Sequence, residues 1–316
     1  MTQQTIPVVN LEDFKNGNNA QRQGFARAVG EALEDTGFFA VTHHGVDPEL
    51  IRRAYQQAEA FFALPDEKKL HYEDVKLKGQ RGYTSFGREH AKDHPAPDLK
   101  EFWHVGQELP PGHRLLPVYG PNLWPAELPE FQPVMLKLFA QLEASAKQLL
   151  RACALHLGES EQSFSEMVDD GDTILRVIHY PPIPPGVHPA AVRAAAHEDI
   201  NLITLLCEST AEGLELLQRD GRWRPIHALQ GQIVVDAGDM MQHLTNGVFK
   251  STTHRVTNPS NDRERRFSMP FFVHPRAEVD ITPRPGCVAR TGGTAKYPRR
   301  TARQYLEERL REIGLA

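Results

Sequence analysis

The second half of the chain is cut into short apolar runs by turn residues, and this rhythm constrains the fold more than any other feature. Ile174 to Tyr180, Leu202 to Cys207, Leu214 to Gln218, Gln232 to Val235 and Phe267 to Val273 are rich in β-branched and aromatic residues. Between them fall Asp220-Gly221, Ala237-Gly238 and Asn246-Gly247, pairs that reverse a chain tightly. Many short strands joined by such turns favour an antiparallel sandwich or barrel. No internal repeat or low-complexity tract interrupts the pattern.

Upstream of Asp172, helices dominate. Ile6 to Val9 reads as an opening strand. From about Ala20 to Asp35, Phe25, Val29, Ala32 and Leu33 recur at helical spacing, and Gly37 ends that helix before the β-rich run Phe38 to Thr42. A second helix begins after Asp47-Pro48, turns Ile51, Tyr55, Ala58 and Phe62 toward the core, and stops near Leu64-Pro65. Leu70 to Pro125, rich in Gly, Pro and His, is expected to be irregular and to wrap over another part of the molecule. Phe131 to Leu157 carries the strongest helix signal, with Met135, Phe139, Leu142, Leu149 and Leu150 mostly three or four residues apart. Arg299 to Ile313, with Leu306 and Leu310 among many charges, reads as a surface helix packed by a narrow apolar stripe. Two regions are therefore expected, 1–125 and 126–316, packed as one unit.

Of the 316 residues 40% are hydrophobic, enough for a substantial core. A net charge of -5 gives no broad basic field, so neither nucleic acid nor an anionic membrane is favoured as a partner. No apolar run reaches the ~20 residues that cross a bilayer. The start, Met-Thr-Gln-Gln-Thr-Ile-Pro, lacks the basic and apolar parts of a signal peptide. A cytoplasmic location is expected. Cys153, Cys207 and Cys287 are odd in number and far apart, which suggests reduced thiols rather than a disulfide framework.

His197 and Asp199 stand two positions apart in Ala-Ala-Ala-His-Glu-Asp-Ile-Asn-Leu. On an extended strand residues i and i+2 share a face, so the imidazole and the carboxylate can grip one ion from one side. His254, in Ser-Thr-Thr-His-Arg-Val, supplies a third ligand if its segment lies beside theirs. Two histidines and a carboxylate on one side of a metal leave the other side open, as non-haem Fe(II) oxygen chemistry requires. The same trio also suits catalytic zinc, or hydrogen-bonded core residues without any metal. Twelve residues after His254 come Arg266 and Ser268, which share a strand face while Phe267 and Met269 take the other. An arginine inside an apolar strand needs an anion, because an unpaired buried charge is costly. Its planar fork fits a carboxylate, and the serine adds another hydrogen bond. That anion is either an internal acidic residue or a dicarboxylic acid reaching from the metal to the guanidinium.

Several segments, in order, make the chain resemble the isopenicillin N synthase-like branch of the Fe(II)/2-oxoglutarate-dependent dioxygenases over most of its length. They are Gly37 to Val46, Leu175-Arg176 to Tyr180-Pro181-Pro182, His197-x-Asp199 with Leu202 to Leu206, Val234 to Asp239, Thr245 to Ser251 leading to His254-Arg255-Val256, and Arg266-x-Ser268. The resemblance implies a mainly β fold with flanking helices (α+β), a double-stranded β-helix or jelly roll with the metal inside one mouth. Carried over by position, His197, Asp199 and His254 bind Fe(II) and form the catalytic centre, Arg266 and Ser268 bind the distal carboxylate of 2-oxoglutarate, and Tyr180 hydrogen-bonds the same cosubstrate. Many plant members have Asn two residues before that tyrosine; here Ile178 stands there, so one polar contact is missing or supplied differently. Glu198 replaces the usual small Thr or Ser, points away from the iron and receives no catalytic role.

The implied reaction consumes O2, decarboxylates 2-oxoglutarate to succinate and CO2, and oxidises a small-molecule substrate by hydroxylation, desaturation or cyclisation, with ascorbate as accessory reductant. Three rivals stay open at this point. A zinc hydrolase and a non-catalytic binding protein lie outside the chemistry, and within the branch some oxidases share the triad and the Arg-x-Ser pair without using 2-oxoglutarate. Phe102 and Trp103 read mainly as packing, with His104 beside them; His43 and His44 as structural hydrogen-bonders; Asn246-Gly247 as a turn; Asp239 as support for the Gly238 turn. Arg81-Gly82-Tyr83 resembles a segment that leads toward the pocket, although its arginine suits solvent equally well.

Overall fold

Two β-sheets of unequal size face one another, and helices cover the outer side of the larger. The computed structural model describes residues 6–90, 95–207, 209–226 and 231–313. In chain order its strands are β1 (Val8–Asn10), β2 (Phe38–Thr42), β3 (Gly82–Thr84), β4 (Glu101–Gly106), β5 (Ile174–Tyr180), β6 (Ala194–His197), β7 (Ile203–Leu206), β8 (Leu214–Leu217), β9 (Trp223–Pro225), β10 (Ile233–Ala237), β11 (His254–Val256), β12 (Arg266–Ser268) and β13 (Pro270–Val273). The helices are α1 (Leu11–Lys15), α2 (Asn19–Asp35), α3 (Pro48–Phe62), α4 (Asp66–Leu70), α5 (Leu116–Tyr119), α6 (Phe131–His156), α7 (Asp239–Leu244), α8 (Pro285–Arg290) and α9 (Ala302–Glu312). None of these is long and apolar enough to cross a membrane.

The larger sheet runs β1-β2-β10-β7-β13-β5-β4-β3, with β12 also on β5; the smaller runs β6-β11-β8-β9. Only β1 and β2 pair in parallel among the described strands; the other ladders are antiparallel. Apolar side chains from both sheets meet between them, Phe38 and Val234 with Leu216, and Phe102 and Ile178 with Ala194 and Val256. The architecture is the expected jelly roll. The first part of the chain does more than lean on it, since β1 to β4 are all strands of the larger sheet.

Local sequence explains most elements. Asn18 and Gln21 form a reciprocal cap at the start of α2, and Gly37, at φ +74, turns the chain into β2. Gly221, at φ +81, closes the β8–β9 hairpin. Three expectations are revised. Residues 101–106, read as irregular, form β4 at full burial and pair with β5 along its whole length; there the Gly and Pro residues flank the strand rather than interrupt it. In α3 the buried face is Leu50, Ala54, Ala58 and Phe61, with Ile51 and Tyr55 only partly covered. Ala58 and Phe62 are common to both readings, and Ile51 and Tyr55 pack against the edge of the core. The run Phe267 to Val273 is two strands, broken at Met269.

α6 is the central helix against which α2 and α3 pack. At Gly30 of α2 the fit leaves no room, for a Cβ there would lie 2.0 Å from Cγ of His156 on α6. Helix propensity alone would make Gly30→Ala stabilising by about 1 kcal/mol. Overpacking should reverse the sign, so we expect chemical denaturation to show a loss of roughly 1–3 kcal/mol.

Candidate active site

β6 ends on His197 and the chain then bends, so Asp199 lies beyond the strand rather than on it. The anticipated i, i+2 face is replaced by a bend gripped from the β10–α7 turn. The Asp239 N–H donates to the Asp199 carbonyl at 2.7 Å, and a Cβ on Gly238 would come within 2.4 Å of the Asn201 carbonyl oxygen. A glycine is what allows that approach. β11 begins at His254, directly opposite His197 in the β6–β11 ladder. One nitrogen from each imidazole and one oxygen of Asp199 fall within 4.8 Å of one another. His197 Nε2 and His254 Nε2 lie 3.8 and 3.7 Å from Asp199 Oδ1, too far to hydrogen-bond and near enough for three donors to share a point between them.

The outer atoms of the trio are fixed. His197 Nδ1 lies 2.7 Å from the Ala195 carbonyl oxygen and His254 Nδ1 3.1 Å from that of Thr252. Donation through Nδ1–H leaves the Nε2 lone pairs facing Asp199. Burial, helped by the nearby His254, pushes His197 below its usual range to about 4, so the ring is neutral near pH 7. Thr204 on β7 donates its hydroxyl to Asp199 Oδ2, and Asn201 Nδ2 donates to Thr204 Oγ1 at 2.9 Å. Two imidazoles and an oriented carboxylate are the donor set that suits Fe(II) with open positions.

Arg266 and Ser268 lie opposite Tyr180 and Ile178 across the β12–β5 pairing. Arg266 is 1% exposed. Its Nε donates to the Ala211 carbonyl at 3.0 Å, while Nη1 is buried with no partner among the described residues. Its Cζ stands 5.1 Å from the centre of the Tyr180 ring. A buried guanidinium nitrogen left unpaired is the vacancy that a bound carboxylate would fill. Tyr180, His197, Asp199, His254, Arg266 and Ser268 all line one inner cavity of about 70 Å³. An outer cavity of about 340 Å³ adjoins it and shares Lys100, Arg176, His197, Asp199 and Phe272 as walls.

Four charged residues at this junction received no role in the sequence reading. Arg176 forks onto Glu89 at 3.0 and 3.1 Å, and Lys100 Nζ sits 2.6 Å from Glu89 and 2.9 Å from Asp98. The other Asp98 oxygen accepts the Ala195 N–H of β6 at 3.0 Å. Burial opposes the charge on Glu89, yet Arg176 and Lys100 hold its carboxyl well below the usual range. Arg176 interrupts an apolar strand just as Arg266 does, so its signal was present; Glu89 lies in irregular chain where no local pattern marks it.

Other expectations are redrawn. α9 is more than a surface helix, because Leu306, Arg309 and Leu310 wall the outer cavity. Asp239 Oδ2 accepts the Tyr305 hydroxyl at 3.1 Å and so ties α9 to α7. Glu198 accepts the Thr253 hydroxyl at 3.0 Å. Arg81 is fully buried against Asp172 at 3.2 Å rather than solvated. Phe102 and Trp103 are buried in the packing, His104 sits against Arg176, and His44 Nδ1 accepts the Val46 N–H at 3.1 Å.

The family description "non-haem dioxygenase in morphine synthesis N-terminal" matches residues 6–127, and that of the 2OG-Fe(II) oxygenase superfamily matches residues 171–275. The 2-oxoglutarate-Fe(II) type oxidoreductase hxnY of Emericella nidulans is 32% identical over 92% of this chain and 85% of its own. A Caulobacter crescentus structure of a 2OG-Fe(II) oxygenase family protein is 40% identical, with TM-score 0.87 over 98% of this chain and 99% of that one. A full-length Neurospora crassa protein in complex with alpha-KG and thymine is 31% identical, with TM-score 0.86 over 98% of this chain and 97% of that one. With identity of this extent spanning both sheets and the buried trio, the chain belongs to the 2OG-Fe(II) oxygenase superfamily and is an Fe(II)- and 2-oxoglutarate-dependent oxygenase.

Proposed function

We propose that His197, Asp199 and His254 hold the Fe(II), that Arg266 and Ser268 hold the distal carboxylate of 2-oxoglutarate with Tyr180 beside them, and that a small organic substrate enters the outer cavity. The observation that carries this reading is one inner cavity lined by three convergent donor atoms and by a buried guanidinium nitrogen without a partner. Bound together, Fe(II), 2-oxoglutarate and O2 supply oxidative decarboxylation to succinate and CO2 and, with it, the oxidation of a substrate C–H bond.

The chain's own residues supply position. Ala195 and Thr252 carbonyls aim the two imidazoles, and Thr204 keeps Asp199 from swinging away. Phe272, Ile174 and Leu306 give the outer cavity an apolar wall, while Arg176 and Glu89 give it a polar one. A volume of about 340 Å³ fits a small metabolite, in keeping with the thymine bound by the Neurospora crassa protein. We further place the enzyme in the cytoplasm, a reading supported by three cysteines that are all free and buried.

Succinate release by the Fe(II)-loaded enzyme under air, screened with amino acids, small phenolics and other metabolites, tests the reading; no substrate-stimulated or basal release would overturn it. His197→Ala and Asp199→Ala should each abolish succinate formation while the far-ultraviolet circular dichroism spectrum stays that of the parent. Arg266→Ala should raise the KM for 2-oxoglutarate by about tenfold or more with Fe(II) affinity little changed. Thr204→Val frees Asp199 Oδ2, so metal titration should show Fe(II) binding weakened by roughly 10–100-fold.

A further inference from the structure

Three cationic side chains line the inner cavity: Lys100, Arg176 and Arg266. Each nitrogen of Arg176 has a partner, Nη1 and Nη2 on Glu89 and Nε on His104, and one N–H on each Nη is left over. Arg266 spends Nε on the Ala211 carbonyl and has donors to spare. Lys100 carries three N–H groups, and Glu89 and Asp98 occupy two. One donor therefore remains on a side chain that is 6% exposed and stands where the inner and outer cavities meet.

The sheet register explains this placement. Glu101 pairs with His179, so one step back along the same antiparallel ladder sets Lys100 against Tyr180. Tyr180 in turn faces Arg266. Lysine, tyrosine and arginine thus form a row across three strands on the inner face. The acids of the cavity do not use up this charge. Asp199 belongs to the trio, and Glu89 and Asp98 take only two of the three Lys100 donors. Burial works against the Lys100 charge, but Asp98 and Glu89 outweigh it and keep the ammonium protonated.

2-Oxoglutarate brings two carboxylates, and Lys100 and Arg266 stand on either side of Tyr180 in that row, each with a donor left over. Resting on the reading above, we propose that Lys100 is a second carboxylate anchor for 2-oxoglutarate, holding the carboxylate that Arg266 and Ser268 do not. Asp98 holds the ammonium and fastens it to β6, the strand that ends in His197, while Glu89 competes with the ligand for it.

Anaerobic calorimetric titration of the Fe(II)-loaded protein with 2-oxoglutarate tests the assignment. Lys100→Met keeps the stem and removes the charge, and should weaken binding by about tenfold or more. Glu89→Gln keeps Lys100 and removes a competing carboxylate, and should bind as tightly as the parent or more tightly. A merely structural ion cluster would weaken both variants together, because each breaks the same network. Unchanged affinity in Lys100→Met, or equal losses in the two variants, overturns the proposal. If thermal melting shows that Lys100→Met does not fold, Lys100→Gln, which also removes the charge, takes its place: a loss of about tenfold or more supports the anchor, and unchanged affinity overturns it. A parent protein that takes up no 2-oxoglutarate would instead overturn the cosubstrate reading itself, and the anchor with it.

Discussion

Charge buried between two β-sheets must be balanced, and the mouth of this jelly roll is arranged around that requirement. Asp199, Arg266, Lys100 and Glu89 are all withdrawn from water, and each would be costly alone. Glu89, Asp98, Lys100 and Arg176 answer one another within the chain. Asp199 and Arg266 are answered only in part, by the Thr204 hydroxyl and the Ala211 carbonyl. On the proposed reading the remainder is supplied by what the oxygenase binds, a metal cation on one side and an organic anion on the other, and the donor left over on Lys100 serves that anion too.

The wall also explains the order of the sheet. β5 lies between β4 and the pair β12 and β13, so it presents Arg176 to Glu89 and Tyr180 to Arg266 from one strand. Asp98 then crosses to Ala195 on the opposite sheet. That single hydrogen bond joins the segment before β4 to the strand that ends in His197, and so couples the rim of the cavity to the buried trio.

Much of this could be read in the sequence because the decisive signals are local. Ser268 two residues from Arg266 shares its strand face as strand periodicity requires, whereas Asp199 two residues from His197 was legible as a neighbour although a bend, not a strand, brings it round. β5, α2 and α6 likewise have apolar spacing that survives without tertiary context. What could not be read depends on distance along the chain. Glu89 and Arg176 meet across 87 residues, and nothing around Glu89 marks it as an ion-pair partner. β4 was hidden by the Gly and Pro residues on either side of it, and its burial comes from β5, which follows some seventy positions later. The face of α3 was misjudged because Ile51 and Tyr55 are as apolar as Leu50 and Ala54, and only the packing against α6 chooses between them.

α9 comes last in the chain and closes the outer cavity, held by the Tyr305 hydroxyl on Asp239. On the proposed reading, Leu306, Arg309 and Leu310 help to shape what the enzyme accepts. The same cavity is walled by His197 and Asp199, so a molecule resting against that helix also lies against two of the side chains proposed to hold the iron. Selectivity and reactivity then share one chamber, and a change in the helix is felt by the guest at the place where it is to be oxidised.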